Sequence, residues 1–386
     1  MRIPAVLAIA GLVAVCLPVS AVAAPGQCAN PSGTYTGEVP WGQRLVDPAR
    51  LWPLTRGDGQ LVAVLGTGVD GQNTQFAPGQ LEGGPGTERA DCDGRGTIAA
   101  GIVGAQPDPS TTFAGVAPGA HLLPIRYTDG SATDGGGDPG ALAGAIDTAL
   151  NRHAGVVLIA VPASADSPAL SAAVARARAE GAVVVSAAAA TQRGARSYPT
   201  ATSGVLAVGS VNPAGEPVQS EAGDHLGVAA PGAELVSTSA GAGGAVAHRW
   251  PVTDPGLAAA YVAGVAALVR AYHPELRGDQ VVTRLTLTAH RPASGGHDPR
   301  LGWGVLDAYA AVSSTLPADV APPGAAPVPA SEPAVVPAAA PARPAADVAA
   351  GTIALAGVAL AAAAGVAVAA VRRARRRNWR PSRFTP

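Results

Sequence analysis

Short apolar runs alternate with longer alanine-rich stretches through the middle of the chain. The runs are four to six residues long and rich in valine, which is typical of buried strands in a parallel sheet. Strands are predicted at 61–65, 122–126, 156–161, 183–186 and 205–208, and helices at about 96–105, 138–153, 168–180, 257–272 and 278–289. This alternation predicts an α/β fold in which helices cover both faces of a mostly parallel central sheet.

The first 24 residues have the pattern of a secretory signal peptide. Arg2 precedes an apolar run at 3–19, and small residues end the segment at 21–24. The pattern predicts export, with cleavage near Ala23 or Ala24. A retained membrane anchor is the alternative.

A second apolar segment lies near the other end, at 351–371. It is uncharged, it has the ~20 residues that a helix needs to cross a bilayer, and an arginine-rich stretch begins directly after it. The positive-inside rule places the tail at 372–386 in the cytoplasm and the large middle region outside the cell membrane. The sequence therefore predicts a single-pass membrane protein, and a buried alanine-rich helix is the alternative. The Pro/Ala-rich stretch at 315–350 is predicted to be a semi-rigid linker.

The charge distribution agrees with this topology. Seven of the 26 basic residues lie in the tail and one lies in the signal peptide, which leaves 18 basic residues against 27 acidic ones in the exported part. An acidic exported part argues against a nucleic acid partner. The basic tail is suited to contact anionic lipid headgroups.

The cysteines also agree with export. Cys16 lies in the signal peptide, so Cys28 and Cys92 remain as an even pair in an oxidising compartment. A disulfide between them is predicted, and two free buried thiols are the alternative. The sequence shows no metal-ligand spacing and no acidic calcium loop, so neither a metal nor a cofactor is expected.

Three segments resemble the catalytic blocks of subtilisin-type serine proteases. Residues 61–70 (LVAVLGTGVD) match the strand that ends in the catalytic Asp, and Gly66 stands in its place. Residues 91–101 (DCDGRGTIAAG) resemble D-G-H-G-T-x-x-A-G, with Arg95 at the position of the general-base His. Residues 254–268 (DPGLAAAYVAGVAAL) resemble G-T-S-x-A-x-P-x-V-A-G-x-A-A-L, with Gly256 at the position of the nucleophile.

A fourth segment lacks its functional residue as well. Residues 183–190 (VVVSAAAA) resemble V-V-V-x-A-A-G-N, whose Asn donates to the oxyanion, and here Ala190 cannot donate. A serine hydroxyl attacks only when an imidazole takes its proton and a carboxylate orients that imidazole. In subtilisin, loss of the Ser or the His alone lowers kcat by about 10^6-fold. The resemblance therefore implies an inactive member of the family.

The order of segments along the chain narrows the resemblance further. Further sequence patterns of the family are matched at 113–120, 197–201, 228–232 and 302–308. A signal peptide, an extension at 25–50, a subtilisin-like domain at 51–314, a linker, a membrane span and a basic tail together resemble the mycosins. Those proteins are membrane-anchored serine proteases of type VII secretion in actinobacteria. The resemblance implies the three-layer subtilisin-like fold and, as partners, components of a type VII secretion membrane complex.

The segments that contain Gly256 and Arg95 also allow predictions about a helix cap and an ion pair. Asp254 is suited to cap the helix that follows it, and Pro255 is suited to its first turn. A guanidinium in a former catalytic cleft needs a partner, so Arg95 is expected to pair with Asp254, or with Asp91 or Asp93. A solvated arginine is the alternative.

Three hypotheses about function follow from these observations. The first is a pseudoprotease that acts as a structural or assembly component. The second is a module that binds an extended peptide client in the retained groove. The third is an endopeptidase with a relocated active site, for which Asp70 and Ser186 lie in the right neighbourhood. The histidines of the exported domain have no nucleophile or metal spacing; they are His121, His153, His225, His248, His273, His290 and His297.

Overall fold

The structure is a computed structural model of the full chain. It describes residues 28–83, 89–130, 136–189, 195–218, 221–317, 320–323, 365–373 and 376. Contacts within the chain divide it into two units, Met1–Ala325 and Ala326–Pro386. The described part of the second unit contains a helix at 365–373. The predicted signal peptide, most of the predicted linker and most of the predicted membrane span lie outside the described residues.

A parallel sheet forms the middle layer of the first unit. Its described strands are β1 (Leu61–Gly66), β2 (His121–Arg126), β3 (Val156–Ile159), β4 (Val183–Ala187), β5 (Val205–Val211) and β6 (Leu226–Pro231), in the spatial order β2-β1-β3-β4-β5-β6. All five predicted strands are present. Leu65, for example, lies opposite Ile125 on one side and Ile159 on the other. The strands are mostly apolar because both faces of the sheet are covered.

Helices pack on both faces of this sheet. The described helices of the first unit are α1 (Trp41–Val46), α2 (Pro48–Leu51), α3 (Arg95–Gly104), α4 (Pro139–Asn151), α5 (Pro168–Ala179), α6 (Gly256–Tyr272), α7 (Gly278–Leu287) and α8 (Ala308–Ser313). Val64 packs on the face with α3 and α6, whereas Leu65 packs on the face with α4 and α5. Successive strand residues point to opposite faces, so the predicted three-layer architecture is confirmed.

Side-chain caps explain where two of the predicted helices begin. The carboxylate of Asp138 accepts the N–H of Ala141 at 2.7 Å, and the hydroxyl of Ser167 accepts the N–H of Leu170 at 3.1 Å. Proline follows each cap and fits the first helical position, where its missing N–H has no partner to lose. These local signals are why α4 and α5 start within one residue of their predicted positions.

Several short elements were not predicted. They are α1, α2, α8, the strand β6, and the antiparallel pair β7 (Leu235–Thr238) and β8 (His248–Val252). Helices of four to six residues are too short to show a helical period. Strand β6 contains glycine and proline, and its pairing with β5 shifts register between Ala207 and Val208.

The N-terminal extension is fastened to the domain, and we call residues 28–40 the strap. Cys28 is bonded to Cys92, which confirms the predicted disulfide. The strap also pairs with β8: the N–H of Ser32 donates to the carbonyl of His248 at 2.8 Å, and the N–H of His248 donates to the carbonyl of Gly33 at 2.7 Å. The strap therefore forms an antiparallel bridge along the edge of β8.

Helix α1 continues this attachment. The indole N–H of Trp41 donates to the carbonyl of Ala233 at 2.9 Å. At Gly42, an added β-carbon would lie 2.6 Å from the hydroxyl oxygen of Tyr261 in α6. Glycine is therefore needed for α1 to reach α6 this closely.

The C-terminal end of the domain is fastened by a buried arginine. The guanidinium of Arg284 in α7 donates to the carbonyls of Ala311, Val312 and Ser314. Because α8 ends at Ser313, these bonds satisfy carbonyls that the helix itself leaves without donors. The fastening lies where the predicted linker begins.

Replacement of both Cys28 and Cys92 by serine is expected to lower the free energy of unfolding by about 2–5 kcal/mol. The disulfide joins residues 64 positions apart, so its loss returns considerable chain entropy to the unfolded state. Urea denaturation of the full chain measures the change. The wild-type chain, denatured in the same buffers, is the control. An unchanged denaturation curve in the double variant would contradict the prediction.

Candidate active site

The positions that the resemblance assigns to the catalytic triad meet at the carboxyl edge of the sheet. Gly66 is the last residue of β1, Arg95 is the first of α3, and Gly256 is the first of α6. The strand order reverses at β1, which has β2 on one side and β3 on the other. In open α/β sheets such a reversal leaves a crevice where ligands bind. The fourth position, Ala190, lies outside the described residues.

Gly66 leaves space where the family has its aspartate. A β-carbon added there would lie 3.6 Å from Cγ2 of Val161 and 3.9 Å from Cβ of Ala160. Both distances are ordinary van der Waals contacts. The carbonyl of Gly66 accepts the N–H of Tyr127 at 3.1 Å. Strand β1 therefore brings backbone to the crevice but no charge.

A buried carboxylate shapes the turn that leads into α3. The oxygens of Asp91 accept the N–H of Gly94 at 2.8 Å, the N–H of Thr97 at 2.7 Å and the hydroxyl of Thr97 at 2.6 Å. Burial raises the pKa of Asp91, although these hydrogen bonds act in the opposite direction. Gly94 has a φ of 91°, which favours glycine. Asp91 is thus used by the turn and is not the partner of Arg95.

The Arg95 side chain is held by Asp93 and by the loop after β2. Its Nε donates to Oδ1 of Asp93 at 2.6 Å, and its Nη2 donates to Oδ2 of Asp93 at 3.3 Å and to the carbonyl of Gly130 at 3.1 Å. Burial opposes the charge of the guanidinium, but the hydrogen bond and charge of Asp93 outweigh burial and raise the pKa of Arg95. A permanently protonated side chain cannot take a proton from a nucleophile.

The carboxylate of Asp254 binds the start of α6. Its Oδ1 accepts the N–H of Gly256 at 2.7 Å, and Pro255 lies at the N-cap position. Burial raises the pKa of Asp254, whereas the charge of Arg95 and the N–H of Gly256 act to lower it. Among the three carboxylates considered for Arg95, Asp93 forms the direct ion pair, and Asp254 interacts through its charge.

Gly256 packs directly against the backbone that follows β3. A β-carbon added to Gly256 would lie 2.3 Å from the carbonyl oxygen of Ala160 and 3.0 Å from Oδ1 of Asp254. The first distance is far shorter than any van der Waals contact. Residue 256 therefore has no space for a side chain unless the backbone moves.

Two residues that the sequence did not single out help to close the crevice. The hydroxyl of Tyr127 donates to the carbonyl of Val161, and burial raises the pKa of this tyrosine. At Gly130, an added β-carbon would lie 2.5 Å from Oδ2 of Asp93 and 2.6 Å from Nη2 of Arg95. A glycine after a strand indicates a turn, but its sequence position does not show what the turn will touch.

Asp70 and Ser186 are the two residues considered for a relocated active site, and they lie in different surroundings from each other. The carboxylate of Asp70 accepts the N–H of Gln72 at 3.0 Å and the N–H of Gly241 at 2.7 Å. Ser186 is fully buried in β4, and its hydroxyl has no hydrogen-bond partner among the described residues. It shares its face of the sheet with Val184, which packs against α4 and α5 rather than α6.

A buried cluster of Ser197, Glu221 and His225 has the residue types of a triad. The Ser197 hydroxyl donates to Oε1 of Glu221 at 2.9 Å, and Nε2 of His225 lies 3.3 Å from the same oxygen. Burial opposes the charge of Glu221, but the nearby imidazole of His225 and hydrogen bonds from Thr200 and Ser197 lower its pKa. In a serine protease the imidazole lies between the serine and the carboxylate. Here the carboxylate lies between them, so the cluster cannot activate its serine in that way.

Comparison with known proteins agrees with this architecture. The sequence model of the subtilase family (Peptidase_S8) matches residues 57–304. Mycosin-4 of Mycobacterium tuberculosis is 38% identical to this chain over 327 residues, which cover 73% of this chain and 71% of mycosin-4.

Solved structures show the same likeness. The MycP3 protease from the type VII (ESX-3) secretion system matches with a TM-score of 0.63 and 32% identity, over 75% of this chain and 93% of that chain. A chain in the intact ESX-5 inner membrane complex matches with a TM-score of 0.63 and 28% identity, over 89% of this chain and 94% of that chain. The chain thus belongs to the subtilase family and, within it, to the mycosins.

Proposed function

We propose that this chain is a catalytically inactive mycosin that serves as a structural component of a type VII secretion membrane complex. The observation that carries the proposal is the contact between Gly256 and Ala160, which leaves the nucleophile's position without a side chain and without space for one. Gly66 supplies no carboxylate, and Arg95 supplies no proton acceptor. Hydrolysis in this family depends on all three groups.

The former catalytic positions differ in how far they have changed. Gly66 has kept the space for a side chain, because its nearest neighbours lie at 3.6 and 3.9 Å from a β-carbon. Gly256 has lost that space to the carbonyl of Ala160. Simple reversal of the three substitutions would therefore not rebuild a working triad, and the scaffold has become adapted to the absence of the nucleophile.

The second hypothesis, a groove that binds an extended peptide, has less support. The backbone after β3 would form one edge of such a groove, but its polar groups have partners within the chain. The carbonyl of Pro162 accepts a backbone N–H at 3.0 Å, and Ala163 exchanges hydrogen bonds with Tyr198 at 2.8 and 2.9 Å. A peptide would have to displace such bonds before it could pair as an added strand.

The third hypothesis, a relocated serine protease, has the least support. In the cluster of Ser197, Glu221 and His225, the carboxylate of Glu221 occupies the central position. Ser186 faces the opposite side of the sheet from α6. Neither arrangement supplies an imidazole that could take a proton from the hydroxyl.

The relatives support the partner that we propose. MycP3 comes from a type VII secretion system, and the ESX-5 inner membrane complex contains a chain of this fold. The match to that chain covers 89% of the present chain, so it extends beyond the subtilase domain at 57–304. A likeness of this extent fits a shared place in a membrane complex.

Attachment to the membrane is part of the proposal. The support is the uncharged segment at 351–371 and the arginines that follow it. Within the described residues, which include only 365–371 of that segment, no helix has both the length and the apolar character needed to cross a membrane. The proposed topology places the subtilisin-like domain outside the cell and the tail at 372–386 in the cytoplasm.

Gly256→Ala is expected to lower the free energy of unfolding by about 1–3 kcal/mol, because the new methyl group collides with the carbonyl of Ala160. Gly66→Ala is the matched control. It is expected to be neutral or to stabilise by up to about 1 kcal/mol, because its methyl group has space and the unfolded chain loses freedom. Urea denaturation of the two variants measures both effects. Equal stability of the two variants would contradict the closed nucleophile position.

The purified full chain is expected to show no labelling by a serine-reactive fluorophosphonate probe and no cleavage of a peptide library. The same result is expected after combined Gly66→Asp, Arg95→His and Gly256→Ser replacement, because the position of residue 256 is closed. An active subtilase labelled in parallel is the control. Labelling of one serine, abolished when that serine is replaced by alanine, would overturn the assignment as a pseudoprotease.

Deletion of the gene is expected to reduce the amount of assembled secretion complex seen on native gels of solubilised membranes. The full chain and its Ser186→Ala variant are expected to restore assembly equally, because the proposed role needs no nucleophile. Co-purification with the tagged full chain then identifies the partners by mass spectrometry. Assembly that is unchanged in the deletion strain would contradict the structural role, and failure of Ser186→Ala alone would favour a relocated nucleophile.

A further inference from the structure

A buried histidine joins the strap to the domain. His248 lies in β8 and has no exposed surface. Its Nδ1 accepts the backbone N–H of Tyr35 at 3.0 Å, and its Nε2 lies 2.6 Å from Oε1 of Gln75. The imidazole therefore bridges the strap on one side and the loop after β1 on the other.

The hydrogen bonds around the ring allow one protonation state only. The side-chain N–H groups of Gln75 donate to the carbonyls of Gln106 at 3.0 Å and Phe113 at 3.1 Å, so its Oε1 must face His248 as an acceptor. The N–H of Tyr35 is always a donor, so Nδ1 of His248 must carry no proton. The ring is thus neutral, with its hydrogen on Nε2.

We propose that the strap is acid-sensitive: protonation of Nδ1 of His248 breaks the bond to Tyr35 and releases the strap from the edge of β8. A proton on Nδ1 would place two N–H donors head to head across 3.0 Å, which the docked strap cannot accommodate. This regulation lies beyond the proposed structural role and does not depend on it.

The groups around His248 do not compensate for a charge on the ring. The facing groups on the other elements are neutral: Tyr35 of the strap, Gln75, the Phe113 ring and, in β7, Thr238. Burial lowers the pKa of His248 to about 4, and the charge of Asp108 acts weakly in the opposite direction. Asp108 is itself exposed and bound to Ser110. Arg249, the next residue of β8, points to the other side of the strand.

The sign of the pH effect follows from these values. The docked strap favours neutral His248, so its stabilisation is complete above the ordinary pKa of 6.5 and is lost as the pH falls from 6.5 to about 4. If the released ring regains its ordinary pKa, the ratio of docked to released strap falls about 30-fold at pH 5 and about 300-fold below pH 4. The effect therefore begins below about pH 6.5 and is complete only below about pH 4.

Release would leave the strap tethered and would expose the edge of β8. The disulfide at Cys28 keeps the start of the strap in place, so the change is local and reversible. The N–H and carbonyl of His248, which now pair with Gly33 and Ser32, would become free. An unpaired strand edge is able to accept another extended segment.

Hydrogen–deuterium exchange of the full chain between pH 7.5 and pH 4.5 tests the proposal, with rates corrected by an unstructured peptide in the same buffers. Protection of the Tyr35 amide is expected to fall about 30-fold at pH 5, while β1 to β5 keep theirs. Unchanged protection of Tyr35 would overturn the proposal. An equal loss in β1 to β5 would show global unfolding instead and would overturn it too.

Two variants separate His248 from other acid effects. In His248→Asn, the amide oxygen takes the place of Nδ1 and accepts from Tyr35 without titrating, so the pH dependence is expected to disappear. His153→Asn is the control, because His153 is exposed and has a φ of 57° that asparagine tolerates. It is expected to keep the wild-type pH dependence. A pH dependence that persists in His248→Asn would overturn the proposal.

A measurement on the wild-type chain remains decisive if His248→Asn does not fold. Slow exchange of the ring C2 hydrogen, followed by mass spectrometry across pH, reports the titration of each histidine. The midpoint of His248 is expected near 4. A midpoint near 6.5 would mean that the docked strap tolerates the charged ring, and the proposal would be wrong.

Discussion

The approach of Ala160 to the start of α6 is the constraint on which the closed crevice depends. Because Gly256 has no side chain, the carbonyl of Ala160 reaches to within 2.3 Å of the place where a β-carbon would stand. The next residue, Val161, then lies within reach of the Tyr127 hydroxyl, and the loop after β2 covers Arg95 through the carbonyl of Gly130. The absence of a side chain at Gly256 and the close approach of the segment after β3 are therefore parts of one arrangement.

The turn before α3 is stabilised by a buried carboxylate. Asp91 accepts two backbone N–H groups and the Thr97 hydroxyl, and these donors would be left buried without partners if the carboxylate were lost. The side chain of Arg95, which follows the turn, accepts none of these hydrogen bonds. Arg95 fits at the start of α3 because Asp93, two residues earlier, supplies a partner for its charge. The turn is thus maintained by contacts that do not depend on which side chain stands at position 95.

The difference between local and long-range contacts explains which features the sequence could predict. The valine-rich strands and the Asp138 and Ser167 caps depend on local pattern, so five strands and the main helices were predicted close to their observed bounds. The choice of Asp93 among three carboxylates, and the contact of Gly256 with Ala160, depend on segments far apart in the chain. Strand β8 was missed because one of its two partners, the strap, is far away in the sequence, although β7 closely precedes it.

The attachments at the two ends of the domain fit a load-bearing role better than a catalytic one. At one end, the strap is crosslinked at Cys28 and α1 rests on Tyr261 of α6. At the other, Arg284 binds the carbonyls that end α8, directly before the predicted linker. Turnover needs a site that opens to admit and release peptide, and here Tyr127 and Arg95 bond the loop after β2 to the segment after β3 and to the start of α3, which favours a fixed arrangement.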